Sequence, residues 1–213
     1  MSALLEYECR VPVGGYDVIT LEHFIYDGAR ALQARSKRTR RFDLFKVSPS
    51  AFLEFAQTPA TEDGIKDFAD RYGLLWPSGD QINFWSEEIR SMHRTVRLWE
   101  TSRRTRDFSK IIRTVRTRLV HVGQEDPDPG VFVELFLKED PLSASARLAI
   151  RPHTLLHALW AQLVLAIDGN QNLGACVLCR KWFTLESGRG RSDKEYCSNA
   201  CRMRAYRKRK RTG

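Results

Sequence analysis

The chain has 213 residues, 42% hydrophobic and 29% charged, enough to bury a core in one medium domain with a small appendage. No apolar run approaches the ~20 residues that a membrane-spanning helix needs, which sets aside a helical membrane protein. The formal net charge of +9 is unevenly placed. The last 38 residues hold twelve Lys/Arg against three Asp/Glu, and the first 175 hold 23 of each. That imbalance points to a local polyanion-binding element rather than a generally cationic protein.

In chain order, residues 16–26 alternate as a strand does, 27–34 read as a short helix and 35–41 as a basic, polar loop. Ser48-Pro49-Ser50 opens a helix with Phe52, Leu53, Phe55 and Ala56 on its apolar face. Thr61-Glu62-Asp63 caps a helix that runs to Leu75, places Ile65, Phe68, Ala69 and Tyr72 on one side, and ends near Gly73. Ile82, Trp85, Ile89, Met92, Val96 and Trp99 then recur three or four apart, the buried stripe of a long helix. Phe108, Ile111, Ile112, Val115 and Leu119 mark a second one, with Arg113, Arg116 and Arg118 on its other face. Residues 124–130 form a loop, 131–137 a short strand, 141–149 and 152–168 helices, and 169–174 a linker.

The most specific signal follows that linker. Cys176 and Cys179 are separated by two residues, and Cys197 and Cys201 by three, with seventeen residues between the pairs. Two close thiol pairs are what a tetrahedral structural zinc site requires, and with all four positions taken by cysteine no place remains for a catalytic water. The first pair reads as a knuckle, residues 181–196 as a hairpin turning near Gly188, and the second pair as the first turn of a helix capped by Ser198 or Asn199. Knuckle, hairpin and helix in that order describe a treble-clef-like finger. Trp182, Phe183, Tyr196, Met203 and Tyr206 supply only a minimal core, so the zinc ion is expected to hold the unit together.

The chain then ends in Arg202, Arg204, Arg207, Lys208, Arg209, Lys210 and Arg211. That density exceeds a solvated helix face, which normally mixes signs. With Met203 and Tyr206 packed on the hairpin, Arg204, Arg207, Lys208 and Arg211 would form an outward stripe. Five such side chains neutralising duplex phosphates would give a log–log salt slope of about −4.5. Tyr196 to Arg202, followed by Tyr206-Arg207-Lys208-Arg209, resembles the C-terminal finger of bacterial CGNR-type zinc-finger proteins. In this chain Arg202-Met203-Arg204 stands where those proteins have Gly-Asn-Arg. The resemblance implies a mostly helical N-terminal domain, zinc ligation by Cys176, Cys179, Cys197 and Cys201, and a role in regulating transcription.

Other constellations are weaker. His153 and His157 share a helix face without the glutamate of a His-Glu-x-x-His site, so they read as structural. Arg103, Arg104, Arg106, Lys110, Arg113, Arg116 and Arg118 offer an extension of a nucleic-acid surface but read first as a solvated face, Trp85 and Trp99 as core, and Cys9 as a small buried residue. Glu125, Asp126 and Asp128 lack the spacing of an EF-hand. No phosphate loop, nucleophile elbow or carboxylate pair supports an enzyme. Free thiols in metal spacing and the lack of an N-terminal signal peptide lead to an expected location in the bacterial cytosol or nucleoid.

The expected architecture is mainly α with minor β, in the α+β class. A helical domain over 1–170, which senses a ligand or forms a homodimer, precedes a four-cysteine zinc finger over 174–213. The expected partner is nucleic acid, DNA ahead of RNA, at a transcription regulator. The alternatives are an adaptor whose finger docks an acidic protein and a nucleic-acid-processing enzyme that uses the finger as a grip.

Overall fold

The computed structural model describes residues 4–22, 28–76, 81–119, 133–140, 145–169, 171–185 and 194–212. It is a mixed α+β protein in which helix predominates, as expected. Its contacts divide it into two compact units, Met1–Val164 and Leu165–Gly213.

The larger unit begins with β1 (Leu4–Leu5), β2 (Glu8–Pro12), β3 (Tyr16–Thr20), β4 (Arg30–Ala34) and β5 (Thr39–Asp43). β2 pairs with β5 and β3 with β4, both antiparallel, and the two ladders form one bent ribbon. Between Pro12↔Thr39 and Tyr16↔Ala34 the β4–β5 arm contains one residue more than the other, a bulge that turns the ribbon. At the bend Gly15 has φ +76°, and a Cβ there would lie 2.3 Å from Asp70 Oδ1, the oxygen that accepts the Tyr16 amide. Only glycine meets both conditions.

Strand formation over 30–34 and 39–43 replaces the expected helix and loop. Arg-Ala-Leu-Gln-Ala contains good helix formers, but pairing with β3 and burial of Ala31 and Leu32 decide the outcome. The same override occurs later. β6 (Val133–Asp140) pairs antiparallel along its length with β7 (Ser145–Pro152), and β7 also takes β1 as a parallel neighbour. Residues 145–149, expected in a helix, therefore belong to a strand that β6 accompanies along its length and that β1 joins at Ala149 and Ile150. The loop expected over 124–130 lies outside the described residues.

The helices of the larger unit follow their periodicity with two departures: the helix expected to run to Leu75 ends at Tyr72, and Ile112, expected on a buried stripe, is 63% exposed. α1 (Leu44–Val47) and α2 (Ala51–Ala56) are short, and α3 (Glu62–Tyr72) starts with the Thr61 side chain accepting the Gly64 amide. α4 (Ile82–Thr105) buries Trp85, Ile89, Met92, Val96 and Trp99, as its stripe requires. It ends at Arg106 in the left-handed conformation, φ 59°, before α5 (Ser109–Leu119). α6 (Leu155–Asp168) spans the division between the units. Its buried Gln162 accepts the Phe52 amide at 3.1 Å and donates to the Ser48 carbonyl at 2.8 Å. It thereby supplies α2 with the cap that Ser50 does not provide. Phe55, Phe68 and Trp85 stand with ring centroids 5.1–6.1 Å apart at the centre of this core.

The smaller unit contains β8 (Asn172–Ala175), β9 (Trp182–Leu185) and α7 (Asn199–Thr212). β8 and β9 pair antiparallel from Asn172↔Leu185 to Ala175↔Trp182. Part of the expected linker is thus a strand, and the observed hairpin encloses the first cysteine pair instead of following it. The turn expected near Gly188 lies outside the described residues.

Candidate metal centre and cationic helix

The first pair sits in the six-residue connection of the β8–β9 hairpin. The Cys176 amide donates to the Lys181 carbonyl at 2.9 Å, and the Arg180 amide to the Cys176 carbonyl at 2.8 Å. Arg180 adopts φ 61°, which folds the loop tightly enough to bring Cys179 back towards Cys176. The Val177 amide bonds the Glu195 carbonyl at 3.0 Å and ties this turn to the segment leading into Cys197. Ser198 then caps α7: its hydroxyl accepts the Cys201 amide at 3.2 Å, and its carbonyl accepts the Arg202 amide. The second pair therefore straddles a helix start, as its spacing suggests.

These local devices bring the four sulfurs together, each within 4.8 Å of the others. Cys179–Cys197 and Cys197–Cys201 are 3.6 Å apart, and Cys179–Cys201 is 3.8 Å. A tetrahedral ion with metal–sulfur bonds of about 2.3 Å needs sulfurs about 3.8 Å apart, whereas a disulfide needs about 2.05 Å. Cys179, Cys197 and Cys201 have the former dimension, Cys176 lies within 4.8 Å of them, and all four thiols are free. The group can hold a metal ion, and a four-thiolate tetrahedral set suits zinc.

Electrostatics point the same way. Burial opposes ionisation of Cys176, but hydrogen bonds from the backbone at Cys179, Cys197 and Leu178 outweigh it and bring the thiol down to about 6. Burial first, and then the neighbouring thiols of Cys179, Cys201 and Cys176, push Cys197 up to about 12. Ionising one thiol of the cluster thus opposes ionising its neighbours. Four thiolates coexist there only around a cation.

Little else supports this unit. Gly174 faces Phe183 across the hairpin, and a Cβ at 174 would come 2.8 Å from the Phe183 ring. Lys194 Nζ lies 5.0 Å from the centroid of that ring.

α7 carries Arg202, Arg204, Arg207, Lys208, Arg209, Lys210 and Arg211 without one acid. Between Asn199 and Lys210 every residue is exposed except Cys201 and Ala205, which are half-buried one turn apart. Met203 and Tyr206, expected to pack on the hairpin, are 42% and 46% exposed. Lys210 Nζ instead lies 5.4 Å from the Tyr206 ring centroid, and Arg202 donates to Asn199 Oδ1 at 2.9 Å. At 100° per residue, the basic positions of such a helix surround its axis instead of forming one stripe. The helix is attached through a narrow strip that includes a metal-ligand candidate.

In the larger unit the remaining candidates fall largely as expected. Cys9, Trp85 and Trp99 are buried. His157 is buried with its ring edge-on to Trp76 at 5.2 Å, and burial, helped by the His153 charge, lowers it to about 4. A neutral core histidine fits these facts better than a ligand. Glu125, Asp126 and Asp128 lie outside the described residues, as do the side chains of Arg116 and Arg118. The sequence reading missed Arg90, Arg94 and Arg97, all exposed on α4, although their spacing of four and three residues was a usable signal. It also gave no sign of a cavity of about 780 Å³ lined in part by Tyr7, Tyr16, Trp76, Arg10 and Arg151. No helix among the described residues is long and apolar enough to cross a membrane. The chain matches no protein-family profile and no curated protein.

Proposed function

We propose that the protein binds nucleic acid through a four-cysteine zinc finger whose last helix contacts phosphates. The observation that carries this reading is α7: seven basic side chains, no acid, exposure on nearly every side, and attachment at the thiol cluster through Cys201. Cys176, Cys179, Cys197 and Cys201 would hold zinc, which supplies a cross-link between the hairpin and the helix. The resemblance to CGNR-type proteins favours duplex DNA and a role in transcription regulation. The cavity of the larger unit is of a size that accommodates a small effector.

The test is fluorescence anisotropy of labelled duplex DNA and duplex RNA with the zinc-loaded full-length protein across a salt series. Affinity for DNA should fall steeply with salt, and replacing Arg207, Lys208, Arg209 and Lys210 by alanine should flatten the slope by about 3.6 if all four meet phosphates. Stronger binding to RNA would redirect the reading to that polymer, and no binding at low salt would overturn it. The exposed Val177, Met203 and Tyr206 favour one other reading, an adaptor that docks a protein on its finger.

A further inference from the structure

We propose that the larger unit carries a second nucleic-acid contact of its own, the solvent face of α4 centred on Arg90, Arg94 and Arg97. This inference rests on the nucleic-acid reading given above for the finger.

The larger unit is almost neutral, with 23 Lys/Arg and 22 Asp/Glu over residues 1–164. That balance conceals a segregation. Residues 90–118 hold ten basic side chains and two acidic ones, Glu100 and Asp107. On α4 four of the ten share one side. At 100° per residue, Arg90, Arg94, Arg97 and Arg104 fall within a sector of about 80°, along about 21 Å of helix axis. All four are exposed, and the opposite side is buried through Trp85, Ile89, Met92, Val96 and Trp99. Arg106, Lys110 and Arg113, also exposed, continue the positive surface through the turn into α5.

An ordinary solvated helix in this same unit looks different. The surface around α3 pairs its charges: Lys66 with Asp70, Arg71 with Glu54, and Arg30 with Glu62. On α4 Arg104 pairs with Glu100, whereas among the described residues no ion pair involves Arg90, Arg94 or Arg97. The outer stripe also selects arginine at each of those positions. A guanidinium offers a planar fork of donors that matches phosphate oxygens two at a time. A straight row of such groups, with like-charge repulsion that a partner would relieve, is complementary to a phosphodiester backbone, which presents negative charge continuously along its length.

The experiment uses the full-length, zinc-loaded protein and labelled duplex DNA over a salt series. Alanine at Arg90, Arg94 and Arg97 together should lower the log–log salt slope by about 2.7, at about 0.9 for each phosphate no longer neutralised. Lysine at the same positions should largely restore it. Because the three side chains are exposed, circular dichroism and the melting transition should remain those of the native protein. Glu87→Lys, which adds a cation to the same face, should steepen the slope by about 0.9 and needs no folded triple variant. A triple variant with wild-type affinity and slope, beside an α7 variant whose slope is flattened, would overturn this proposal and leave the finger's role standing. Absence of duplex binding by the wild-type protein would overturn both. Loss of binding to polyglutamate with duplex binding intact would reject the nucleic-acid assignment of this face in favour of an acidic protein.

Discussion

The larger unit encloses Phe52, Phe55, Phe68, Trp85, Trp99 and Trp160 almost completely, whereas the described residues of the smaller unit bury only Ala166, Cys176 and Phe183 among apolar side chains. The first is held by surface removed from water. In the second a few hydrogen bonds shape a turn and a helix start, and four sulfurs converge within 4.8 Å of one another. A unit this small does not sustain a fold by burial alone. The difference bears on how a strongly cationic helix is kept in place with almost no core: a metal ion held by the thiols would oppose its repulsion at one end, where packing along its length does not.

That contrast can be broken most forcefully by removing the metal. Chelation, or Cys201→Ser, should withdraw apparent folding free energy on the order of 10–16 kcal/mol from the smaller unit. Far-UV circular dichroism should show the α7 helix lost and then regained when zinc follows chelation, and undiminished helicity in the chelated protein would contradict the contrast. The converse perturbation is Trp99→Ala, which empties a fully buried site beside Phe52. It should destabilise the larger unit by about 3–5 kcal/mol in urea titration, with the zinc stoichiometry unchanged.

Acid should also distinguish the two. His157 titrates at about 4 in the folded larger unit, against 6.5 for the ordinary side chain. The unfolded chain therefore takes up the proton first, and the stabilisation present above pH 6.5 declines as pH falls towards 4. The loss is at most about 3 kcal/mol by linkage, and His157→Leu should remove that part of the pH slope in denaturant melts. The mildest change is Gly174→Ala, which forces the Phe183 ring to shift. About 1–3 kcal/mol of overpacking strain should appear as weaker zinc affinity in competition with a chromogenic chelator, with the urea midpoint of the larger unit unaltered.

The candidate centre was legible because coordination imposes its spacing directly on the sequence. Two residues between Cys176 and Cys179 suit a tight turn, and three between Cys197 and Cys201 suit a helix's first turn. Long helices were legible for a related reason, since Trp85 to Trp99 repeats the period of the backbone that carries it. The ribbon was not. Residues 30–34 and 145–149 are locally adequate helices, and what makes them strands is pairing with the preceding strand, which the propensity of the segment itself does not record. Met203 and Tyr206 misled in the opposite sense, because apolar side chains one turn apart suggest a packed face that α7 does not form. Arg90, Arg94 and Arg97 went unread because a sum over the whole domain returns nearly zero.

That sum has a consequence for motion before contact. Within a unit of almost no net charge, the eight surplus positive charges between residues 90 and 118 are balanced by acids elsewhere in the same unit, a separation of charge. The field of a polyanion exerts little net pull on such a body at long range, yet it exerts a torque. The larger unit should turn its α4 side towards a charged polymer while still diffusing, so that fewer encounters are lost to wrong orientation. Screening by salt would then slow association even where the final contacts are few.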